Sequence, residues 1–93
     1  MTSYTLSYDL RNESGSQDYE PLWKELKRLG AHRTQDSLWL INVNNTAKEL
    51  QDHFKQYVDA DDRLMVSELT HNQHYSNAYA GTNDWIKNNP PSR

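Results

Sequence analysis

Polar and apolar residues alternate over residues 4–10, YTLSYDL. Tyr4, Leu6, Tyr8 and Leu10 fall on one face, and Thr5, Ser7 and Asp9 on the other. That is the period of a strand with one face in the core. A polar loop, RNESGSQ, follows, and then the spacing becomes helical. Tyr19, Leu22, Trp23, Leu26 and Leu29 share one side, with Lys24, Lys27 and Arg28 on the other. Asp18 is placed to cap this helix. Pro21 sits in its first turn, where a missing N–H costs little, and Gly30 supplies the stop. Two strands are predicted next, over about 31–35 and 37–43, with Asp36 near the turn between them. Thr46 and Glu49 have the spacing of a capping box. The helix they open carries Leu50, Phe54, Tyr57 and Val58 on one stripe and ends at DADD, residues 59–62. RLMVSELT, residues 63–70, reads as a fourth strand. The resulting order, β-α-β-β-α-β, predicts a ferredoxin-like α+β sandwich over residues 1–70.

Residues 71–93 form a polar C-terminal extension, rich in Asn, with Tyr75, Tyr79, Trp85 and Ile86 as spaced anchors. It is too polar to fold alone. Trp85 is expected to dock it on the domain or on a partner chain, Asn83 to cap a single turn, and residues 88–93 to fray.

Composition changes this picture only in part. Leu, Ile, Val and Phe supply 16 of 93 residues, a low share. Three Trp and six Tyr replace the missing apolar area, and the net charge of −3 is too small for a disordered chain. No apolar run is long enough to span a membrane, and the first residues do not resemble a secretory signal. The chain has no Cys, which excludes a disulfide framework, a thiolate metal site and a Cys nucleophile, and suits a cytoplasmic protein. The pI of about 5.7 argues against strong sequence-independent nucleic-acid binding by a monomer, though a local basic patch remains compatible with it. No GxSxG elbow and no Gly-rich phosphate loop is present.

Asp9 is the first candidate for chemistry. It ends the first strand on the face opposite the apolar stripe, which places it on an open sheet face or in a dimer interface. One carboxylate holds Mg²⁺ weakly, whereas two copies meeting at a two-fold axis would make a better site. Lys24, Lys27, Arg28, His32 and Arg33 form the one concentrated positive cluster. It reads either as a phosphate-contact surface or as a solvated helix face balanced by Glu20 and Glu25. His71 and His74, spaced i and i+3, lack the neighbours that complete a metal set, and His32 reads as a surface residue. Asp59, Asp61 and Asp62 lack EF-hand spacing and read as a solvated turn.

The series YTLSYDLRN, a helix ending in LxxLGA, the strand SLWLI and an acidic turn leading into DRLMVSEL resembles the small CRISPR-associated Cas-two family. It is most similar to the SinR-like small proteins grouped with that family, which is thought to be related to VapD-type ribonucleases. The resemblance covers residues 4–70, and the DWIKN segment also looks SinR-like. It implies a ferredoxin-like fold, a homodimer, and either a metal-dependent nuclease or a subunit of a spacer-integration complex. By position it implies Mg²⁺ ligation at Asp9, phosphate contact at Arg11 and support of the dimer site at Ser37.

Two functions are therefore expected. The first is a Cas-two-like nucleic-acid-associated protein, acting on RNA or DNA, with Mg²⁺-dependent endonuclease activity at Asp9 and binding through Arg11, Lys24, Lys27, Arg28 and Arg33. The second is a non-catalytic dimeric interaction module, a scaffold or a toxin–antitoxin-type partner of another protein. The acidic pI and the lone carboxylate favour the second.

Overall fold

The computed structural model describes residues 1–9 and 19–93. Strand β1 (Thr2–Asp9) is followed by helix α1 (Glu20–Arg28), strands β2 (His32–Gln35) and β3 (Leu38–Val43), helix α2 (Ala47–Phe54), strand β4 (Arg63–Glu68) and helix α3 (Thr82–Asn88). A 3₁₀ turn over Lys55–Tyr57 extends α2. The result is a small α+β fold with one four-stranded sheet in the order β2-β3-β1-β4, antiparallel at every pairing. Among the described residues, no helix is long and apolar enough to cross a membrane.

The strand period does what it predicts. Tyr4, Leu6 and Tyr8 of β1 and Trp39, Ile41 and Val43 of β3 are buried on one face of the sheet. Leu22 and Leu26 of α1 and Leu50 and Phe54 of α2 close over them. Among the described residues the core is eleven buried side chains, which suits a chain of this length. Pro21 lies in the first turn of α1. Gly30 leaves that helix with φ 77°, a left-handed conformation that costs glycine little. The Thr46–Glu49 capping box forms as its spacing requires. Leu10, Arg11 and Asp18 lie outside the described residues. The residue preceding α1 is Tyr19, whose side chain makes no capping bond.

The second face of the sheet is where expectation and structure part. Leu40 is 3% exposed, although it points away from α1 and α2. The C-terminal segment covers it. Tyr79 N–H donates to Thr34 O at 3.1 Å, and Ser3 Oγ donates to Asn89 O at 2.8 Å. Residues 88–93 are not frayed: Pro91 is buried, and His71 N–H donates to Arg93 O at 3.2 Å. Nor does Asn83 cap a turn. Gly81, at φ 94°, precedes α3, and Asn83 lies within it, accepting from Tyr75 Oη. Trp85 Nε1 donates to Gly30 O at 3.0 Å, and Thr82 is the more deeply buried residue. Hydrogen bonds to the carbonyls of Gly30 and Thr34 fasten the segment, and residue patterning does not show such bonds.

Glu25, expected to balance surface charge, is largely buried. It ties α1 to α2. Arg28 donates to both of its carboxylate oxygens at 2.7 Å, and His53 Nε2 lies 2.6 Å from Oε2. The Arg28 guanidinium is the main cause that holds the carboxyl down at about 2; burial opposes it and the His53 bond adds to it. The folded pKa is thus below the unfolded value, so the stabilisation is complete above about pH 4.5 and is lost as pH falls toward 2. Glu25→Gln is expected to cost about 1–3 kcal/mol at neutral pH. In urea denaturation followed across acid pH, the gap between wild type and variant should close between pH 4.5 and 2. A gap independent of pH would contradict the assignment.

Candidate functional site

Tyr8 carries the local architecture. Its hydroxyl accepts from Trp23 Nε1 at 3.0 Å and Trp39 Nε1 at 3.1 Å, and donates to Asp36 O at 3.3 Å. One donor and two acceptor sites are therefore all in use. The bonds fix α1, β1, β3 and the two-residue β2–β3 turn relative to one another. Arg33 then lies over both indoles, its Cζ 5.7 Å from the Trp23 ring and 6.0 Å from the Trp39 ring. Its Nε and Nη2 donate to the same Asp36 carbonyl at 3.1 and 2.7 Å.

Trp23, Trp39 and Arg33 wall an open hollow of about 310 Å³ together with Lys27, Ala31 and His32. Lys27 and Arg33 are exposed, and among the described residues no carboxylate side chain lines the hollow. An aromatic wall with two cations and no acid is suited to an anionic, planar ligand. His32 is not a free surface residue. Its Nε2 lies 2.9 Å from Thr82 Oγ1, which also meets Thr34 Oγ1 at 2.9 Å. Thr82 spends its one hydroxyl proton on Tyr79 O at 2.8 Å, so His32 Nε2 and Thr34 Oγ1 are the donors.

The expected positive cluster divides. Lys27 and Arg33 meet at the hollow, Lys24 stays exposed on α1, and Arg28 is taken up by Glu25. Asp9 is exposed on the sheet's second face, beyond the reach of the C-terminal segment. Arg63 on β4 faces it in register and holds its Oδ2 through Nη1 at 2.7 Å. Ser37 is exposed at the same end of the sheet, its carbonyl accepting from Tyr8 N–H at 3.1 Å. Ser7, Asp9, Arg63 and Met65 thus form an uncovered patch, with Met65 63% exposed.

The Mg²⁺ that the resemblance implies fails a direct test at Asp9 in one chain. A single carboxylate, already bonded to a guanidinium, offers a dication too little charge and too few ligands. Among the described residues, the group of three or more whose ligand atoms come together is Asp59, Asp61 and Asp62, all within 4.8 Å. That set is able to hold a metal ion. The loop folds back through Asp59 N–H donating to Asp62 Oδ2 at 2.7 Å, which the missing EF-hand spacing gave no sign of. His71 and His74 belong to no such group.

No family model matches the chain. The crystal structure of a hypothetical protein from Thermus thermophilus is similar to it at 16% sequence identity and a TM-score of 0.62. The match covers 84% of this chain and 94% of that one, and it is a likeness of fold.

Tyr8→Phe leaves two indole N–H groups without their acceptor, one of them on the buried Trp39. The expected cost is about 2 kcal/mol, or roughly 10 °C in Tm. Thermal denaturation checks it, and an unchanged Tm would remove Tyr8 from its central place.

Proposed function

We propose that this chain is a Cas-two-like nucleic-acid-associated protein that binds single-stranded RNA or DNA through the hollow at Lys27, Arg33 and Trp23. The observation that carries the reading is the pairing of two cations with an indole wall, with no acid beside them among the described residues. Phosphates meet Lys27 and Arg33, and an unstacked base meets the half-buried Trp23 ring. The net charge of −3 keeps binding local to this patch. The order β2-β3-β1-β4, with α1 and α2 as crossovers on one face, supports the ferredoxin-like form of the α+β fold that the resemblance implies. Asp9 and Ser37 at one end of the sheet agree with it.

Asp9 in this reading is structural, an ion pair closing the end of β1 on β4, and no cleavage step is assigned to it. A second reading, a non-catalytic interaction module paired with a second copy or another protein, is favoured by the exposed Met65 beside that pair.

Fluorescence anisotropy with labelled single-stranded RNA and DNA over a salt series tests the proposal. Binding should weaken with salt, and Lys27→Ala should lower the slope of log K against log salt by about 0.7. Asp9→Asn should bind as wild type does, with or without EDTA. Binding that ignores Lys27→Ala would overturn the assignment. Mg²⁺-dependent cleavage lost in Asp9→Asn would restore the endonuclease reading.

A further inference from the structure

Between the sheet's second face and the C-terminal segment lies a half-open hollow of about 140 Å³. Thr5, Leu38, Leu40 and Leu69 form its sheet side, and Tyr75 and Ile86 close over it from the segment. Folded interiors rarely leave space larger than a water molecule. This space is held open from two sides. Tyr79 N–H and the Thr34–Thr82 pair fasten the segment at β2, and the Ser3–Asn89 bond fastens it at β1. Its size is close to the roughly 150 Å³ of an apolar cavity that accepts one aromatic ring.

The lining selects the ligand. Among the described residues it contains no Lys, Arg, Asp or Glu, so a phosphate or carboxylate would meet no counter-charge there. Gln35, Gln73 and His74 stand at its rim. Among the described residues, their side chains have no hydrogen-bond partner. A Gln amide presents a donor and an acceptor side by side, as the edge of a nucleobase does. The Tyr75 ring, 38% exposed, offers a face on which a flat heterocycle can stack.

We propose that this hollow binds a neutral, planar, hydrogen-bonding molecule of the nucleobase or nucleoside class. It lies across the sheet from the Trp23–Arg33 hollow, because Leu40 and Trp39 point to opposite faces, and it stands independently of the nucleic-acid reading.

The test is an NMR titration of the ¹⁵N-labelled full chain with adenosine, guanosine, cytidine and uridine, each beside its 5′-monophosphate, with decanol as an apolar probe. At least one nucleoside should give saturable shifts confined to amides near 38–40, 69, 73–75 and 82–86. Its monophosphate should bind no better. Ile86→Trp, which fills the hollow, should weaken binding about tenfold or more. Gln73→Ala, a change at the rim that leaves the fold in place, should weaken it several-fold while the amide spectrum stays native. A short single-stranded RNA that shifts the same amides would assign the site to an unpaired base of a strand; nucleoside shifts alone would assign it to a free ligand. Decanol binding without nucleoside binding, no saturable shift from any nucleoside, or full affinity in both variants would overturn the proposal.

Discussion

The hydroxyl of Tyr8 is the constraint on which the rest of the sheet's working end depends. A tyrosine on an inward strand position would ordinarily count as core area. Here its one polar atom is the acceptor for two indoles and the donor to the β2–β3 turn. Burying Trp39 next to a half-buried Trp23 requires an acceptor for each N–H, and one phenol supplies both. The geometry then follows. The indoles cannot rotate without losing that bond. Arg33, tied to the Asp36 carbonyl, is held above them, and a cationic, aromatic surface appears at a fixed place on a chain whose net charge is negative.

A sheet with helices on one face has to settle what happens to the other. Symmetric pairing of two copies is one solution, and it is the one the resemblance implies. This chain covers part of that face itself. The gradient along β1 records how far the cover reaches: Ser3 is fully buried under Asn89, Thr5 and Ser7 are half-buried, and Asp9 is exposed. Edge strand β2 is shielded as well, since the Thr34 carbonyl accepts from Tyr79. What remains open is the far end, with Met65 and the Asp9–Arg63 pair. Any partner that docks on the sheet meets that smaller patch.

The parts of the structure legible in the sequence are those governed by period and by local chemistry. The β1 alternation, the Leu22–Leu26 stripe, the Thr46–Glu49 box and the Gly30 stop each act within a few residues, and each is where its pattern puts it. The parts that were not legible depend on partners distant in sequence. Arg63 meets Asp9 across 54 positions and turns a candidate metal ligand into half of an ion pair. Glu25 looks like surface charge until His53 arrives from α2. The Asn-rich extension carries no periodicity, and bonds to the carbonyls of Gly30 and Thr34 fasten it. Asp59, Asp61 and Asp62 converge through a turn that their spacing does not announce. The positive cluster was visible as composition, but only the fold shows that Arg28 leaves it and that Trp23 and Trp39 join it.

The most direct measurement is photo-crosslinking of bound single-stranded RNA to the wild-type chain, with the crosslinked peptides located by mass spectrometry. The account predicts crosslinks in the stretch from Trp23 to Arg33, where indole and guanidinium lie together. Crosslinks concentrated instead around Asp9 and residues 63–68, with none from Trp23 to Arg33, would contradict it and move the nucleic acid to the open end of the sheet.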